Sequence, residues 1–156
     1  MSPELATRIL EFTLDKNKDL YRTVLANVAD ARKVRPLFLE RTPRKERHEG
    51  MVAMLSRPRL EFQAANLLRE WLMKKETPML ADFLDSLGIS HKEGAVDDLP
   101  PQVEDAKLKT AVDVILGKYP AEEVAVYLNA FYSMNDVRWP NLDVILKNEP
   151  RLQFGN

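Results

Sequence analysis

The chain has 156 residues, no cysteine and a formal net charge of −1. The lack of cysteine excludes disulfides, thiolate metal sites and a cysteine nucleophile. No apolar run approaches the ~20 residues of a membrane-spanning helix, and the start MSPELATRILEF lacks the blocks of a secretory signal. We therefore expect a soluble cytoplasmic protein with no membrane partner.

The small net charge hides an asymmetry between the two halves of the chain. Residues 1–78 contain 16 Lys and Arg against 11 Asp and Glu, whereas residues 79–156 contain 7 against 13. This division predicts either attraction between a basic and an acidic half or an anionic partner for the basic half.

Prolines mark the beginnings of several predicted helices, because proline at the first helical position costs no hydrogen bond. Three pairs have the pattern of an N-cap followed by a first residue: Ser2–Pro3, Thr42–Pro43 and Thr77–Pro78. Pro58, Pro101, Pro120 and Pro140 are further predicted helix starts with weaker caps.

Between these prolines, apolar residues recur at helical intervals. The recurring positions are Leu20, Val24, Leu25 and Val28, then Leu60, Ala64, Leu67, Leu68, Trp71 and Leu72, and then Val112, Ile115 and Leu116. Residues 124–132, VAVYLNAFY, are apolar on nearly every side and are predicted to form the most buried helix. We predict an all-α fold: a compact array of eight or nine helices, built from stacked helical hairpins without a sheet.

The segment LGISHKEGAVDDLPP, residues 87–101, interrupts this periodicity. Gly88 is expected to end a helix in the left-handed conformation, with Ile89 closing the cap, and Pro100–Pro101 delay the next helix. We predict a single domain, 1–156, with an alternative division into halves 1–87 (basic) and 101–156 (acidic) joined by loop 88–100. Whether this loop is functional or only a connector stays open.

Residues 67–87 align without a gap on residues 111–131, a shift of 44 positions. A period of that length lies within the range of HEAT and armadillo helical repeats. The alternative is that any two helical hairpins share apolar positions at this spacing, and no third copy is visible upstream. The likeness is architectural and identifies no family.

A metal site in the long loop is the first chemical hypothesis. Its ligands would be His91, Glu93, Asp97 and Asp98, but the spacing suits neither tetrahedral zinc nor a calcium loop. A solvated acidic loop is the favoured interpretation, so we predict no metal and, without a glycine-rich phosphate loop, no cofactor.

The strongest charge feature is the stretch 32–59, which holds nine Lys and Arg against three acids. Arg41, Arg44, Lys45 and Arg47 are its candidate partner-binding residues. Contacts with phosphates would give salt-sensitive binding to a nucleic acid or another polyanion, but no nucleic-acid motif accompanies the charges. The alternative is a solvated basic face that docks on the acidic half, with Phe38 in the core.

Trp139 follows Arg138 in the polar turn NDVRWPNL. An exposed tryptophan beside an arginine would suit an interface anchor, whereas a buried one would fill the gap between the last two helices. We include Arg138, Trp139 and His91 among the candidate partner-binding residues, and we predict Trp71 to lie in the core.

No catalytic residues are predicted, because the sequence has no G-x-S-x-G and neither histidine has a neighbour that suggests a general base. The leading hypothesis is a non-catalytic helical module that binds another protein, with self-association left open. The alternative is a polyanion-binding module that uses the stretch 32–59, and an enzyme without a recognisable motif is favoured least.

Overall fold

Nine α-helices account for most of residues 1–154, the part of the chain that this computed structural model describes. Their bounds are Pro3–Lys16 (α1), Lys18–Ala31 (α2), Pro36–Arg41 (α3), Arg44–Leu55 (α4), Glu61–Lys74 (α5), Thr77–Ser86 (α6), Asp105–Lys118 (α7), Ala121–Met134 (α8) and Pro140–Asn148 (α9). Two 3-10 turns, Pro58–Leu60 and Pro150–Leu152, lie beside them. Residues 1–154 contain no strand, only an isolated bridge between Lys92 and Ala95. The predicted all-α fold is confirmed.

The start of α1 follows the predicted capping pattern. The Ser2 hydroxyl accepts a hydrogen bond from the Leu5 N–H at 3.2 Å, and Pro3 is the first helical residue. This bond satisfies one of the N–H groups that a helix start otherwise leaves unpaired.

The two threonine caps were predicted wrongly. The hydroxyl of Thr42 donates to the Phe38 carbonyl at 2.8 Å, and that of Thr77 donates to the Met73 carbonyl at 2.9 Å. In both places a helical turn ends just upstream, so each hydroxyl bonds back to the carbonyl four residues earlier instead of capping the next helix.

The chain divides into two compact units, and the division falls within α5. The first unit is Ser2–Trp71, and the second begins at Leu72 and also includes Met1. Loop 88–100, predicted as the connection between two halves, therefore lies inside the second unit.

In the first unit, α1, α2 and α4 pack against one another, and α3 packs on α2. Asn17 joins α1 to α2 as a single residue whose side chain accepts from the Leu20 N–H at 3.1 Å. The apolar core consists of Leu5, Ile9, Leu10, Tyr21, Val24, Leu25, Val28, Ala29, Leu39, Met51, Met54 and Leu60, with Leu67 and Trp71 also buried.

In the second unit, α7 contacts α6, α8 and α9, and the turn Pro150–Leu152 packs on α8 and α9. Helix α8 buries six consecutive residues, Glu123–Leu128, and therefore every side of its middle turns, as its apolar sequence predicts. An aromatic cluster of Phe83, Tyr127, Phe131 and Trp139 joins α6 to the following helices, with neighbouring ring centroids 5.2–5.9 Å apart.

The connection between α6 and α7 begins with the predicted glycine cap. Gly88 has φ +70°, and the Ile89 N–H donates to the Leu84 carbonyl at 3.0 Å. A tight turn follows, in which Lys92 and Ala95 exchange two backbone hydrogen bonds of 2.9 Å around Glu93 and Gly94. Both central residues have positive φ, as a type I′ turn requires.

Two further sequence predictions concern the lack of a membrane-spanning helix and a duplication of residues 67–87 in residues 111–131. No helix in residues 1–154 is long and apolar enough to cross a membrane. Residues 67–87 and 111–131 each contain a helix end, a turn and a second helix, which any two hairpins share. The duplication therefore stays a prediction.

Candidate partner-binding surfaces

The first candidate surface, the α3 patch, surrounds an open groove of about 520 Å³ and consists of Val34, Arg35, Leu37, Phe38, Arg41 and Thr42. Leu37 is 49% exposed and Phe38 is 58% exposed, while Leu39 alone of α3 is buried against the first unit. Phe38 was therefore wrongly predicted to lie in the core. Successive helical residues point about 100° apart, so three consecutive apolar residues cannot all face one core.

The sequence contains the signal that could have identified this patch. Pro36 starts α3 and Arg41 ends it, so Leu37, Phe38 and Leu39 fall on a helix of only six residues. A helix of fewer than two turns offers few positions on its inner face, and here Leu39 occupies it while Leu37 and Phe38 stay on the surface. The candidate residues predicted from the sequence were the charged ones of this stretch, and the exposed Leu37 was not among them.

The second candidate surface, the α7–α9 groove, encloses about 420 Å³ and was not predicted from the sequence. Its lining is Asp105, Lys109, Val112, Asp113, Asn141, Val144, Ile145, Asn148 and Glu149. Val144 is 56% exposed, and three carboxylates accompany one ammonium group. The signal was the spacing of Asp105, Lys109 and Asp113 at four-residue intervals, which places them along one face of α7.

The groove is held in shape by hydrogen bonds from α9 to the beginning of α7. The Asn141 side-chain amide donates to the Val103 carbonyl at 2.8 Å and to the Asp105 carboxylate at 2.9 Å. At the other end, the Arg151 guanidinium donates to both carboxylate oxygens of Glu149, which lowers the pKa of Glu149.

The four candidate residues of the basic stretch have different surroundings. Arg41 borders the α3 patch, and Arg44 and Lys45 are exposed at the beginning of α4. Arg47 is partly buried: its guanidinium lies 5.8 Å from the Tyr21 ring centroid and donates to the Glu40 carbonyl at 3.0 Å. The structure therefore brings Arg41 to the patch and holds Arg47 against its own unit.

A buried polar pair connects α2 to α4. The hydroxyl of Tyr21 lies 2.8 Å from Nε2 of His48, which is 1% exposed. Among the described residues, the Nδ1 of His48 has no hydrogen-bond partner. Burial lowers the pKa of His48, as do the nearby charges of Arg47 and Arg44. Burial also raises the pKa of Tyr21. The pair has a structural role, because the helices that it joins enclose the imidazole.

His91 organises the turn in the second unit. Its Nδ1 accepts from the Gly94 N–H at 3.1 Å, so the proton lies on Nε2, which donates to Asp85 at 2.7 Å. Both ring nitrogens are thereby used, one by the turn itself and one by the end of α6. Among residues 1–154, no group of three or more histidine and acidic side chains could hold a metal ion.

A second polar link joins α6 to the end of α7. The Tyr119 hydroxyl donates to the Asp82 carboxylate at 2.6 Å, and the Lys118 ammonium lies 3.1 Å from the same oxygen. The Tyr119 hydrogen bond lowers the pKa of Asp82, while burial and this carboxylate raise the pKa of Tyr119 to about 12. The link stabilises the second unit and offers no free nucleophile.

Trp139 is only 1% exposed, so the prediction that it is an exposed interface anchor is wrong. Its indole Nε1–H donates to the Pro100 carbonyl at 2.8 Å, and its ring packs on Phe131 at 5.2 Å between centroids. Pro140 starts α9 directly after it, which turns the indole into the unit. Arg138 stays exposed, 5.8 Å above the Tyr132 ring centroid. Trp71 is buried, as predicted.

Comparison with protein-family models, with curated proteins and with solved structures gives no match to this chain.

Proposed function

We propose that this protein is a non-catalytic helical module that binds another protein through the α3 patch. The observation that carries the proposal is the exposure of two adjacent large apolar side chains, Leu37 and Phe38, on a six-residue helix. Single exposed apolar residues are ordinary, but adjacent ones beside a groove are typical of interaction sites.

The composition of the patch supports protein binding. Phenylalanine and arginine are enriched at protein interfaces, where an aromatic ring supplies buried area and arginine supplies hydrogen bonds. Arg35 and Arg41 line the same groove as Leu37 and Phe38, and no acidic residue lines it. The patch therefore favours a partner that presents an apolar side chain flanked by carboxylates.

A second candidate function is the binding of a polyanion such as a nucleic acid. The observation in its favour is that eight of the nine cationic side chains in residues 32–59 are exposed, among them Arg44 and Lys45. About six or more phosphate contacts from this stretch would give salt-sensitive affinity. An ion pair of 3.1 Å between Arg59 and Asp30 removes one of these charges from the available set.

The experiment compares a double variant and a single control variant of the full chain in affinity capture from native lysate. Leu37→Ser with Phe38→Ser should lose a protein that the wild type retains. Phe62→Ser, at an apolar residue of α5 that is 72% exposed, should retain it. Loss of that protein by both variants, or by neither, would contradict the proposal.

Chromatography on heparin separates the two candidate functions. Arg44→Glu with Lys45→Glu removes exposed charge without touching Arg47, whose guanidinium packs on Tyr21. If the polyanion function holds, wild-type retention falls steeply with salt and the charge variant elutes early. If protein binding holds, that variant still captures the partner and only the patch variant fails.

A further inference from the structure

The α7–α9 groove has an apolar floor and a charged rim on α7. Val112, Val144 and Ile145 form the floor, and Val144 is largely exposed although it has a neighbouring helix. This face is apolar enough to take a large side chain and is not filled by the second unit itself.

The rim carries two aspartates on one face of α7. Asp105 and Asp113 are eight residues apart, about 12 Å along the helix axis. Lys109 lies between them, and Glu149 at the far end is neutralised by Arg151. The rim is therefore acidic at two points and basic at one.

The α3 patch has the complementary arrangement. Leu37 and Phe38 lie between Arg35, which directly precedes α3, and Arg41, which ends it, and the two arginines are about 9 Å apart along the helix axis. A long arginine side chain spans the few ångströms by which the two spacings differ. Both surfaces belong to the same chain, so they are always present at equal concentration.

We infer that the α7–α9 groove of one copy binds the α3 patch of a second copy. This inference rests on the proposed function of the α3 patch and names the partner of that patch. Phe38 or Leu37 enters beside Val144, while Arg35 and Arg41 pair with Asp105 and Asp113. Each copy carries one patch and one groove, so the contact is heterologous and either closes into a ring or continues as a chain.

The size of the two surfaces sets the expected strength. A six-residue patch on a nine-residue groove lies at the small end of specific interfaces, which is the range of weak and transient complexes. Self-association should therefore depend on concentration and weaken with salt, because its specificity comes from screened charge pairs.

The test is analytical ultracentrifugation of the full chain from low micromolar to about millimolar concentration. The patch variant is Leu37→Ser with Phe38→Ser, and the groove variant is Asp113→Lys with Val144→Lys. All four positions are exposed, so neither variant removes a core contact. The matched control is Val114→Lys, at a partly exposed valine of α7 that does not line the groove.

Wild type and the Val114→Lys control should associate as the concentration rises. The patch and groove variants should each stay monomeric over the same range, because their association constants should be at least tenfold lower. An equimolar mixture of the patch and groove variants should form a 1:1 complex and nothing larger, since it contains one intact patch and one intact groove.

The inference is overturned if the wild type stays monomeric, if the mixture does not associate, or if the groove variant associates like the wild type. These failures differ from failure of the proposed function. A monomeric wild type whose α3 patch still captures another protein would leave the proposed function intact, whereas a patch variant indistinguishable from wild type in both experiments would contradict both proposals.

Discussion

The two units differ in how fully their polar and aromatic side chains are paired. In the second unit, His91 uses both ring nitrogens and Trp139 donates to the Pro100 carbonyl. In the first unit, Nδ1 of His48 has no partner among the described residues, and Phe38 is exposed. The second unit has to hold the long connection 87–104 by side chains, whereas the first joins its helices by short connections and needs no such support. The second unit therefore uses its histidine and tryptophan to fix a loop, whereas the first unit leaves a histidine nitrogen unpaired and a phenylalanine exposed.

The largest effect should come from the residue that holds the long connection. Trp139→Ala removes a buried indole and its hydrogen bond, and the free energy of unfolding should fall by about 3–5 kcal/mol. Urea denaturation of the full chain measures this loss. Trp139→Phe keeps the ring packing but leaves the Pro100 carbonyl unpaired, so it should cost about 1–3 kcal/mol. Equal losses in both variants would assign the effect to the hydrogen bond alone.

The next effect concerns the turn that His91 organises. Gly94 has φ +85°, and a Cβ there would lie 2.7 Å from the Cβ of Leu80, so Gly94→Ala combines backbone strain with a clash. We expect a loss of about 2–4 kcal/mol in thermal or urea unfolding.

Gly88→Ala is the matched control for this prediction. Gly88 also has positive φ, but a Cβ there would meet no atom within 4 Å, so only the strain of about 1–2 kcal/mol should remain. If the two glycine variants lose the same stability, the contact of the turn with Leu80 contributes nothing.

The third effect is a different response of the two units to acid. The pKa of His48 is lowered below 6.5, so the unfolded chain takes up the proton more readily. The first unit should therefore lose stability as pH falls below about 7, by at most about 1.4 kcal/mol per pH unit. The loss should stop below the pKa that His48 has in the folded protein.

Hydrogen exchange resolves the two units in one experiment. The pKa of Asp82 is lowered below 3.8, so the stability that it gives the second unit is present above that pH and is lost only as pH falls further. His48→Gln removes the titrating group, and exchange in the first unit should then change less between pH 7 and 5. An unchanged pH profile in this variant would show that His48 is not the group responsible.

The smallest effect should come from the exposed pair of the first unit. Leu37→Ser and Phe38→Ser remove side chains that pack little, so the free energy of unfolding should change by no more than about 0.5 kcal/mol. A melting curve checks this directly. A loss comparable to that of Trp139→Ala would mean that the α3 patch belongs to a core, and the comparison between the units would fail.

Several elements followed directly from local sequence patterns. The helical spacing of apolar residues, the Ser2 cap and the Gly88 cap depend on interactions within about six residues, and all three are present in the structure. The threonine caps at Thr42 and Thr77 failed because a neighbouring helical turn competed for each hydroxyl.

The candidate surfaces were harder to predict, because they depend on which side of a helix meets the rest of its unit. The sequence allowed Trp139 to be either exposed or buried, and a hydrogen bond to the Pro100 carbonyl, 39 residues away, holds it in the buried position. Phe38 was placed in the core although only Leu39 of its helix is buried. The α7–α9 groove needs two helices that lie about 30 residues apart in the chain.

The sequence by itself determined that this protein is all-α, where most of its helices begin and which helix lies deepest, since apolar periodicity and proline geometry act along the chain. The tertiary structure alone decided that Trp139 is buried and Phe38 is exposed, how each histidine is bonded and which apolar faces stay open. Those outcomes depend on contacts between residues that are distant in sequence, and no local pattern encodes the direction from which such a neighbour arrives.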